Sequence, residues 1–144
     1  MLRLDPEKLK DLAEQFKSKV AKDPDLSRSK PTLAIAAFKL IPAEELAPSN
    51  AENVREDLST ALIDSGAFDV VERGQLDKAL DELKIGLADT FDSERAQKLG
   101  KMVNARVVII GSISDRGAYT VINARLIDTA TGKARIAASV ELRK

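Results

Sequence analysis

The chain has 144 residues, and its 23 Lys and Arg side chains are balanced by 23 Asp and Glu side chains. The length fits one domain, and a hydrophobic content of 44% is enough to form its core. Because the sequence contains no His and no Cys, it excludes metal-thiolate sites and the Cys-His and Ser-His-Asp modes of catalysis. The apolar runs are much shorter than the roughly 18 residues of a membrane-spanning helix, and the first residues lack the pattern of a signal peptide.

The first predicted element is an amphipathic helix over residues 6–21. Asp5 is in position to cap its amino terminus, and Pro6 suits the first helical position. The polar stretch that follows contains two prolines and indicates a linker. We therefore expect residues 1–31 to be a helix and linker appended to a domain of residues 32–144. The helix has one apolar stripe at helical spacing, formed by Leu9, Leu12, Ala13, Phe16 and Val20.

The next segments alternate between strand and helix patterns. Residues 32–38 are almost wholly apolar, which is typical of a strand covered on both faces. Asn104 is expected to end the last helix in a left-handed conformation. Together the patterns predict strands at 32–38 and 68–72 and helices at 51–66, 75–84 and 94–104, the last of them capped by Ser93.

The carboxyl-terminal segment predicts three antiparallel strands. A two-residue turn at Arg116–Gly117 would pair Asp115 with Ala118, and the next turn would pair Ile127 with Lys133. This register places apolar side chains on one face of all three strands, and a slip of one residue would destroy the match. The complete prediction is an α/β (α+β) fold, with a mixed sheet of about five strands, a carboxyl-terminal antiparallel meander of three strands, and three to four flanking helices.

The other face of the predicted meander is mixed in polarity, and in this register Arg125 and Arg135 become cross-strand neighbours. Like charges that face each other destabilise a sheet unless an acidic group lies over them. A partner protein could supply the acid, and the candidate contact residues are then Asn123, Arg125, Arg135 and Ser139. Alternatively, Glu141 or an acid from the net-negative middle of the chain neutralises the two arginines within the fold.

The apolar stripe of the first helix also needs a surface to pack on. It could cover Val108, Ile110 and Val121 on the mixed face of the meander. It could equally pack on another subunit. The sequence leaves both arrangements open.

Few residues carry a recognisable chemistry. No phosphate-binding glycine motif occurs, the carboxylates lack the spacing of a calcium loop, and the basic carboxyl-terminal strands contain one aromatic residue, Tyr119. We therefore predict no catalytic residue, no cofactor, no metal site and no nucleic-acid partner. Arg73 lies where a strand passes into a helix, a place where ligands bind in α/β folds. The simpler interpretation is a structural ion pair between Arg73 and a helix acid such as Glu82.

Four stretches, in this order and spacing, resemble a known superfamily: LAIAAF, FDVVERGQLDKALDEL, AQKLGKMVNARVVIIGSI and YTVINARLIDTATGKARIAASVEL. The superfamily holds the curli secretion protein CsgG, the flagellar lipoprotein FlgO, the penicillin-binding-protein activator LpoB and the TolB amino-terminal domain. The resemblance covers residues 32–142 and leaves residues 1–31 outside it. The chain departs from the superfamily in two features, since it has no lipobox cysteine and no long apolar insertion of the kind that builds transmembrane strands.

The resemblance implies a protein of the bacterial cell envelope, in the periplasm or on the periplasmic face of the outer membrane, that acts by protein contact and oligomerisation rather than catalysis. The expected function is a non-enzymatic accessory or scaffold module that binds other envelope proteins during assembly of a surface structure. Membrane association would require a leader or lipid anchor that is not in this chain. The alternative is a periplasmic domain that binds a small molecule or nucleotide at the strand ends near Arg73 and Gly111.

Overall fold

The computed structural model describes residues 5–42, 46, 48–84 and 92–143. Within these residues, five strands form one mixed sheet and five helices flank it. The predicted fold class is confirmed, and α2 is a single-turn helix inside the predicted linker. In chain order the elements are α1 (Pro6–Ala21), α2 (Pro24–Ser27), β1 (Thr32–Ile41), α3 (Pro48–Ser65), β2 (Asp69–Val70), α4 (Arg73–Glu82), α5 (Ser93–Val103), β3 (Val107–Asp115), β4 (Tyr119–Asp128) and β5 (Ala134–Arg143).

The sheet has the strand order β2-β1-β3-β4-β5. Strands β2 and β3 are parallel to β1, and the β3-β4-β5 meander is antiparallel, as predicted. Two helix caps predicted from the sequence are present, one at the start of α1 and one at the end of α5. The Asp5 side chain accepts a hydrogen bond from the Glu7 backbone N–H at the start of α1, and Asn104 ends α5 with a left-handed φ of 58°.

Each face of the sheet has its own hydrophobic layer. Helices α1 and α3 pack on the face that contains Leu33, Ile109 and Ile136, which we call the α1/α3 face. Helices α4 and α5 pack on the face that contains Val108 and Ile110, which we call the α4/α5 face. Because β1 is apolar on both sides, residues 33–38 are completely buried between the two layers.

Helix α1 is part of the α1/α3 layer. Phe16 and Leu12 are fully buried, and the whole apolar stripe joins the same core cluster as Leu33 and Ile136. The expectation that this stripe covers Val108, Ile110 and Val121 is therefore wrong. On the α1/α3 face, the apolar side of β5 is not reached by α3, so the stripe of α1 buries more hydrophobic surface by packing on β5. On the α4/α5 face, α5 already covers Val108. The hydrophobic core therefore includes residues on both sides of the predicted boundary between residues 1–31 and 32–144.

Polar side chains of α1 also bind the free edge of β5. The side-chain amide of Gln15 makes both hydrogen bonds that a neighbouring strand would make with Ser139. Its Nε2 donates to the Ser139 carbonyl (2.8 Å), and its Oε1 accepts from the Ser139 N–H (3.3 Å). Lys19 Nζ donates to the Ala137 carbonyl at 2.6 Å. These contacts occupy backbone groups that an edge strand would otherwise leave unpaired.

The register of the meander differs from the prediction by two residues at both hairpins. Ile113 pairs with Ile122 rather than Thr120, because the first turn is centred on Gly117, whose φ of 89° suits the first central position of a two-residue turn. Leu126 pairs with Ile136 rather than Ala134. A shift of two residues returns every side chain to the same face, so the predicted apolar face survives.

A β-bulge in the second hairpin decides the position of one predicted site residue. Leu126 pairs with Ile136 and Ile127 pairs with Ala134, which leaves Arg135 as the extra residue. Arg125 pairs with Ala137 instead. The predicted cross-strand pair of Arg125 and Arg135 is therefore wrong.

Candidate functional site

Helices α4 and α5 cover only part of the α4/α5 face. The covered part is the apolar region around Val108, Ile110 and Ile127. Farther along the same strands, Asn123 and Ser139 are exposed and the side chains become polar. The candidate site is this part of the sheet, which none of the described helices covers and which we call the uncovered part.

A row of polar side chains crosses four strands of the uncovered part. Lys39 of β1 pairs with Ser112 of β3, Ser112 pairs with Asn123 of β4, and Asn123 pairs with Ser139 of β5. Paired residues point to the same side of a sheet, so the four side chains line up on one surface. Arg125 lies two residues from Asn123 on β4 and is exposed on the same side.

The row forms the floor of a depression of about 550 Å³ that we call the polar depression. Gln15 and Lys19 of α1 form its wall where they reach over the β5 edge. The full lining is Gln15, Lys19, Lys39, Ile110, Gly111, Ser112, Asn123, Ala124, Arg125, Ala137, Ala138 and Ser139. Among the described residues, this lining contains three cationic side chains and no acidic side chain.

The cations of the polar depression differ in their internal contacts. Lys19 donates to the Ala137 carbonyl. The side chains of Lys39 and Arg125 make no ion pair or hydrogen bond with any residue in the described part of the chain. Their charges are therefore open to a binding partner.

Arg135 lies outside the polar depression, in a cluster of five charged residues that we call the aspartate clasp. Arg135 contacts Asp23 at 2.6 Å and Asp25 at 3.0 Å, both near α2, and Asp128 of β4 at 3.2 Å. Arg106 contacts the same Asp25 oxygen at 2.7 Å. The clasp fastens the predicted linker to the sheet, so the acids that neutralise Arg135 come from residues 23–25 and β4 rather than from Glu141 or the middle of the chain.

The clasp shifts the ionisation of two of its members. Hydrogen bonds from Arg135 and Arg106 lower the pKa of Asp25 below its usual value of 3.8. The hydrogen bond to Asp25 raises the pKa of Arg135 further above its already high value. Both shifts favour the charged forms, as expected for oppositely charged groups in contact.

Arg73 forms ion pairs, but with other partners than predicted. It contacts Glu52 and Glu56 of α3 (2.9 Å to Glu56) and approaches Asp77, one helical turn along α4, at 3.7 Å. The predicted pairing with Glu82 is wrong. Glu82 lies at the other end of α4, whereas α3 passes beside the first turn of that helix.

A second cavity, of about 270 Å³, lies beside Arg73 between α3 and α4. Its lining includes the apolar residues Ile63, Val70 and Leu76. Arg55, buried in the same lining, donates to the Ile35 carbonyl and to Asp77, while its Nη1 has no hydrogen-bond partner. The cavity therefore combines these apolar residues with five charged side chains, which are Glu52, Arg55, Glu56, Glu72 and Arg73.

Of the predicted contact residues, Asn123, Arg125 and Ser139 lie together in the polar depression, and Arg135 lies in the clasp. The sequence interpretation missed Lys19, Lys39 and Ser112. Lys39 carried a signal, since it is the one charged residue in the apolar stretch of β1. Its position opposite Ser112 could not be derived, because β1 contains an irregularity between Ile35 and Phe38 that changes the register.

Two classes of feature are absent from the part of the chain that the structure describes. No group of three or more acidic side chains there is arranged to hold a metal ion. Among the described helices, none combines the length and hydrophobicity needed to cross a bilayer.

Comparison with known families and sequences places the chain among its relatives. The family model described as the curli production assembly/transport component CsgG matches residues 28–116. The match ends before β4, so Asn123, Arg125 and Ser139 lie beyond it. A comparison with curated protein sequences finds no match.

Several solved structures have a similar fold. The LpoB C-terminal domain from Salmonella enterica superimposes with a TM-score of 0.66 at 19% identity, covering 93% of this chain and 99% of that domain. The NMR structure of Escherichia coli LpoB gives a TM-score of 0.69 at 21% identity and covers 87% of this chain, which matches 64% of that one. Lipoprotein GNA1162 from Neisseria meningitidis gives 0.56 at 13% identity, covering 79% and 83% of the two chains. At these identities the likeness establishes the fold.

Proposed function

This chain belongs to the family of the curli production assembly/transport component CsgG, and from that membership we propose that it is a non-enzymatic module of the bacterial cell envelope. In this proposal it binds other envelope proteins during assembly of a surface structure. The family description names assembly and transport, and two proteins of similar fold are LpoB and a lipoprotein. The proposed location is the periplasm or the periplasmic face of the outer membrane, with other envelope proteins or further copies of the chain as partners.

The observation that carries the proposal is the uncovered part of the α4/α5 face. A sheet face that is polar, concave and exposed has no role in the core of this molecule. Lys39 and Arg125 have no internal counter-ion among the described residues, which suits a surface that meets a partner. The sequence contains no His and no Cys, which supports a role in protein contact rather than catalysis.

The test is capture of envelope proteins by a variant with Asn123→Ala and Arg125→Ser. We expect this variant to fold normally, since both side chains are exposed, and to lose most of the crosslinking to partners that the unmodified protein shows in native cells. Arg135 is left unchanged because its loss would open the aspartate clasp.

A variant with Lys17→Ala serves as the control, since Lys17 is exposed on α1 away from the polar depression. It should crosslink as the unmodified protein does. Unchanged crosslinking of the Asn123 and Arg125 variant would remove the polar depression as the contact surface. The absence of any envelope partner for the unmodified protein would contradict the proposed function itself.

The cavity beside Arg73 favours a second candidate function, the binding of a small molecule. Its volume of about 270 Å³ is near the lower end for ligand pockets, and the unpaired Arg55 Nη1 is a donor that a carbonyl group could satisfy. Thermal-shift screening with nucleotides, sugars and peptidoglycan fragments tests it. A ligand at 100 times its Kd stabilises the protein by about 2.7 kcal/mol, which such a screen detects.

A further inference from the structure

We propose that the polar depression binds an acidic, extended segment of a partner protein, with Lys39 and Arg125 as the two charged anchors and the row from Ser112 to Ser139 beneath it. The inference rests on the proposed function and specifies the chemistry of the partner. The family match includes Lys39 and Ser112 but ends before β4 and β5, which carry Asn123, Arg125 and Ser139, so it does not supply the complete site.

The first argument is the sign of the charge. In the described ranges of the chain, the lining of the polar depression holds Lys19, Lys39 and Arg125 and no carboxylate. The chain as a whole is neutral, with 23 basic and 23 acidic residues, so this concentration of one sign is local. Arg135 in the clasp and Arg73 beside α3, in contrast, have acids in direct contact. No acid in the described part of the chain supplies complementary charge to the polar depression, which suits an acidic partner.

The second argument is the spacing of the two anchors. Lys39 and Arg125 are two strands apart and offset by two residues, because Lys39 is in the row of Asn123. With strands about 4.8 Å apart and about 3.3 Å per residue, their Cα atoms are separated by about 12 Å. In an extended segment, side chains at i and i+2 lie about 7 Å apart and those at i and i+4 about 13 Å apart. Alternating carboxylates on a strand-like segment therefore match both anchors.

The third argument is the chemistry of the floor. Ser112, Asn123 and Ser139 carry hydroxyl and amide groups, which donate and accept hydrogen bonds and so suit the N–H and C=O groups of a peptide backbone. Ala137 shares this face with Arg125, and its small side chain lets a backbone approach closely. An anionic membrane surface is a poorer fit, because lipid recognition typically uses clusters of four to eight cations and the polar depression has three.

The experiment measures binding of the purified chain to fluorescein-labelled peptides by anisotropy. The probe is a twelve-residue peptide of alternating Asp and Ser, and its counterpart has Asn in place of each Asp. We expect the acidic peptide to bind and the Asn peptide not to bind, with an affinity that falls as salt rises. A double variant, Lys39→Gln and Arg125→Gln, should weaken binding by about tenfold or more.

The matched control is Lys10→Gln with Lys17→Gln, which removes the same charge from the opposite side of the molecule, beside α3. It should keep the affinity within about twofold. Equal loss in both double variants would overturn the proposal, because binding would then reflect net charge alone. Charge-dependent binding to phosphatidylglycerol vesicles without binding to the acidic peptide would overturn it in favour of a lipid surface.

Crosslinking in native cells separates this proposal from the proposed function. If the unmodified chain captures envelope partners and the Lys39 and Arg125 double variant captures them equally well, the acidic-segment site is wrong and the proposed function stands. If the unmodified chain binds the acidic peptide but captures no envelope partner, the proposed function is wrong while the site remains.

Discussion

At the scale of single residues, Arg125 and Arg135 have similar surroundings in sequence and opposite roles in the structure. The difference between the two arginines comes from the β-bulge in the second hairpin. Arg135 is the extra residue of the bulge and meets Asp23, Asp25 and Asp128, whereas Arg125 remains in register and faces Ala137. One arginine therefore stabilises the chain and the other is available for binding.

The pKa of Asp25 leads to a prediction about pH. Because contact with Arg135 and Arg106 lowers this pKa below 3.8, the stabilisation is fully present above that pH and is lost as the pH falls through the lower, folded-state pKa. At pH 6 we expect an Asp25→Asn variant to unfold at a lower urea concentration than the unmodified protein. The difference should shrink below a pH of about 4 and vanish once the carboxyl group is protonated.

Urea unfolding monitored by circular dichroism from pH 2 to pH 7 measures this difference. Asp11→Asn is the control, since Asp11 is exposed on α1 and outside the clasp. A gap between Asp25→Asn and the unmodified protein that stays constant down to pH 2 would contradict the ion-pair account.

At the scale of elements, close packing of α5 on the β4–β5 turn leaves no room for a side chain at one helical position. A Cβ atom added at Gly100 would lie 2.2 Å from Cγ2 of Thr129. Thr129 cannot move away easily, because its hydroxyl donates to the carbonyls of Ala105 and Arg106. This contact connects α5 to the meander that carries the polar depression.

We therefore expect Gly100→Ala to lower the free energy of unfolding by about 1–2 kcal/mol, since overpacking costs about 1–3 kcal/mol and the better helix propensity of Ala returns part of it. Gly74→Ala in the first turn of α4 is the matched control. An added Cβ there meets its nearest atom at 3.7 Å, so stability should stay equal or rise. Chemical denaturation of both variants measures the change in the free energy of unfolding. Equal changes in the two variants would contradict the packing argument.

Helix α1 also permits a test at this scale, because its apolar stripe shares the core of the sheet. Phe16 is fully buried, and Phe16→Ala should destabilise the whole domain by about 3–5 kcal/mol. Lys17→Ala, at the exposed neighbouring position, should change stability by less than about 0.5 kcal/mol. If Phe16→Ala releases α1 and leaves the hydrogen-exchange protection of β3 and β4 intact, the helix is an appendage after all.

At the scale of the whole molecule, two helical layers of unequal extent decide where the sheet is open. Helices α1 and α3 cover the apolar face out to β5, while α4 and α5 stop short on the other face. The surface left open draws on β1, β3, β4 and β5, with α1 reaching over the edge from the far layer. A binding surface built from five elements depends on the complete fold.

Sequence patterns alone predict the features of this protein that depend on near neighbours. Four features follow from residues within one helical turn or from alternation along one strand. They are the cap at Asp5, the apolar stripe that contains Phe16, the left-handed Asn104 and the apolar face of the meander. Alternation has a period of two, so it specifies the face of a strand but not a register shift of two residues.

Contacts between distant segments, in contrast, determine which charges meet and which layer α1 joins. The position of Gly117 in its turn and the bulge at Arg135 set the register. That register brings Asn123 beside Ser112, and with Lys39 and Ser139 it forms one row. Arg135 binds acids more than a hundred residues away along the chain. Such pairings depend on where distant segments lie in space, and neither composition nor periodicity contains that information.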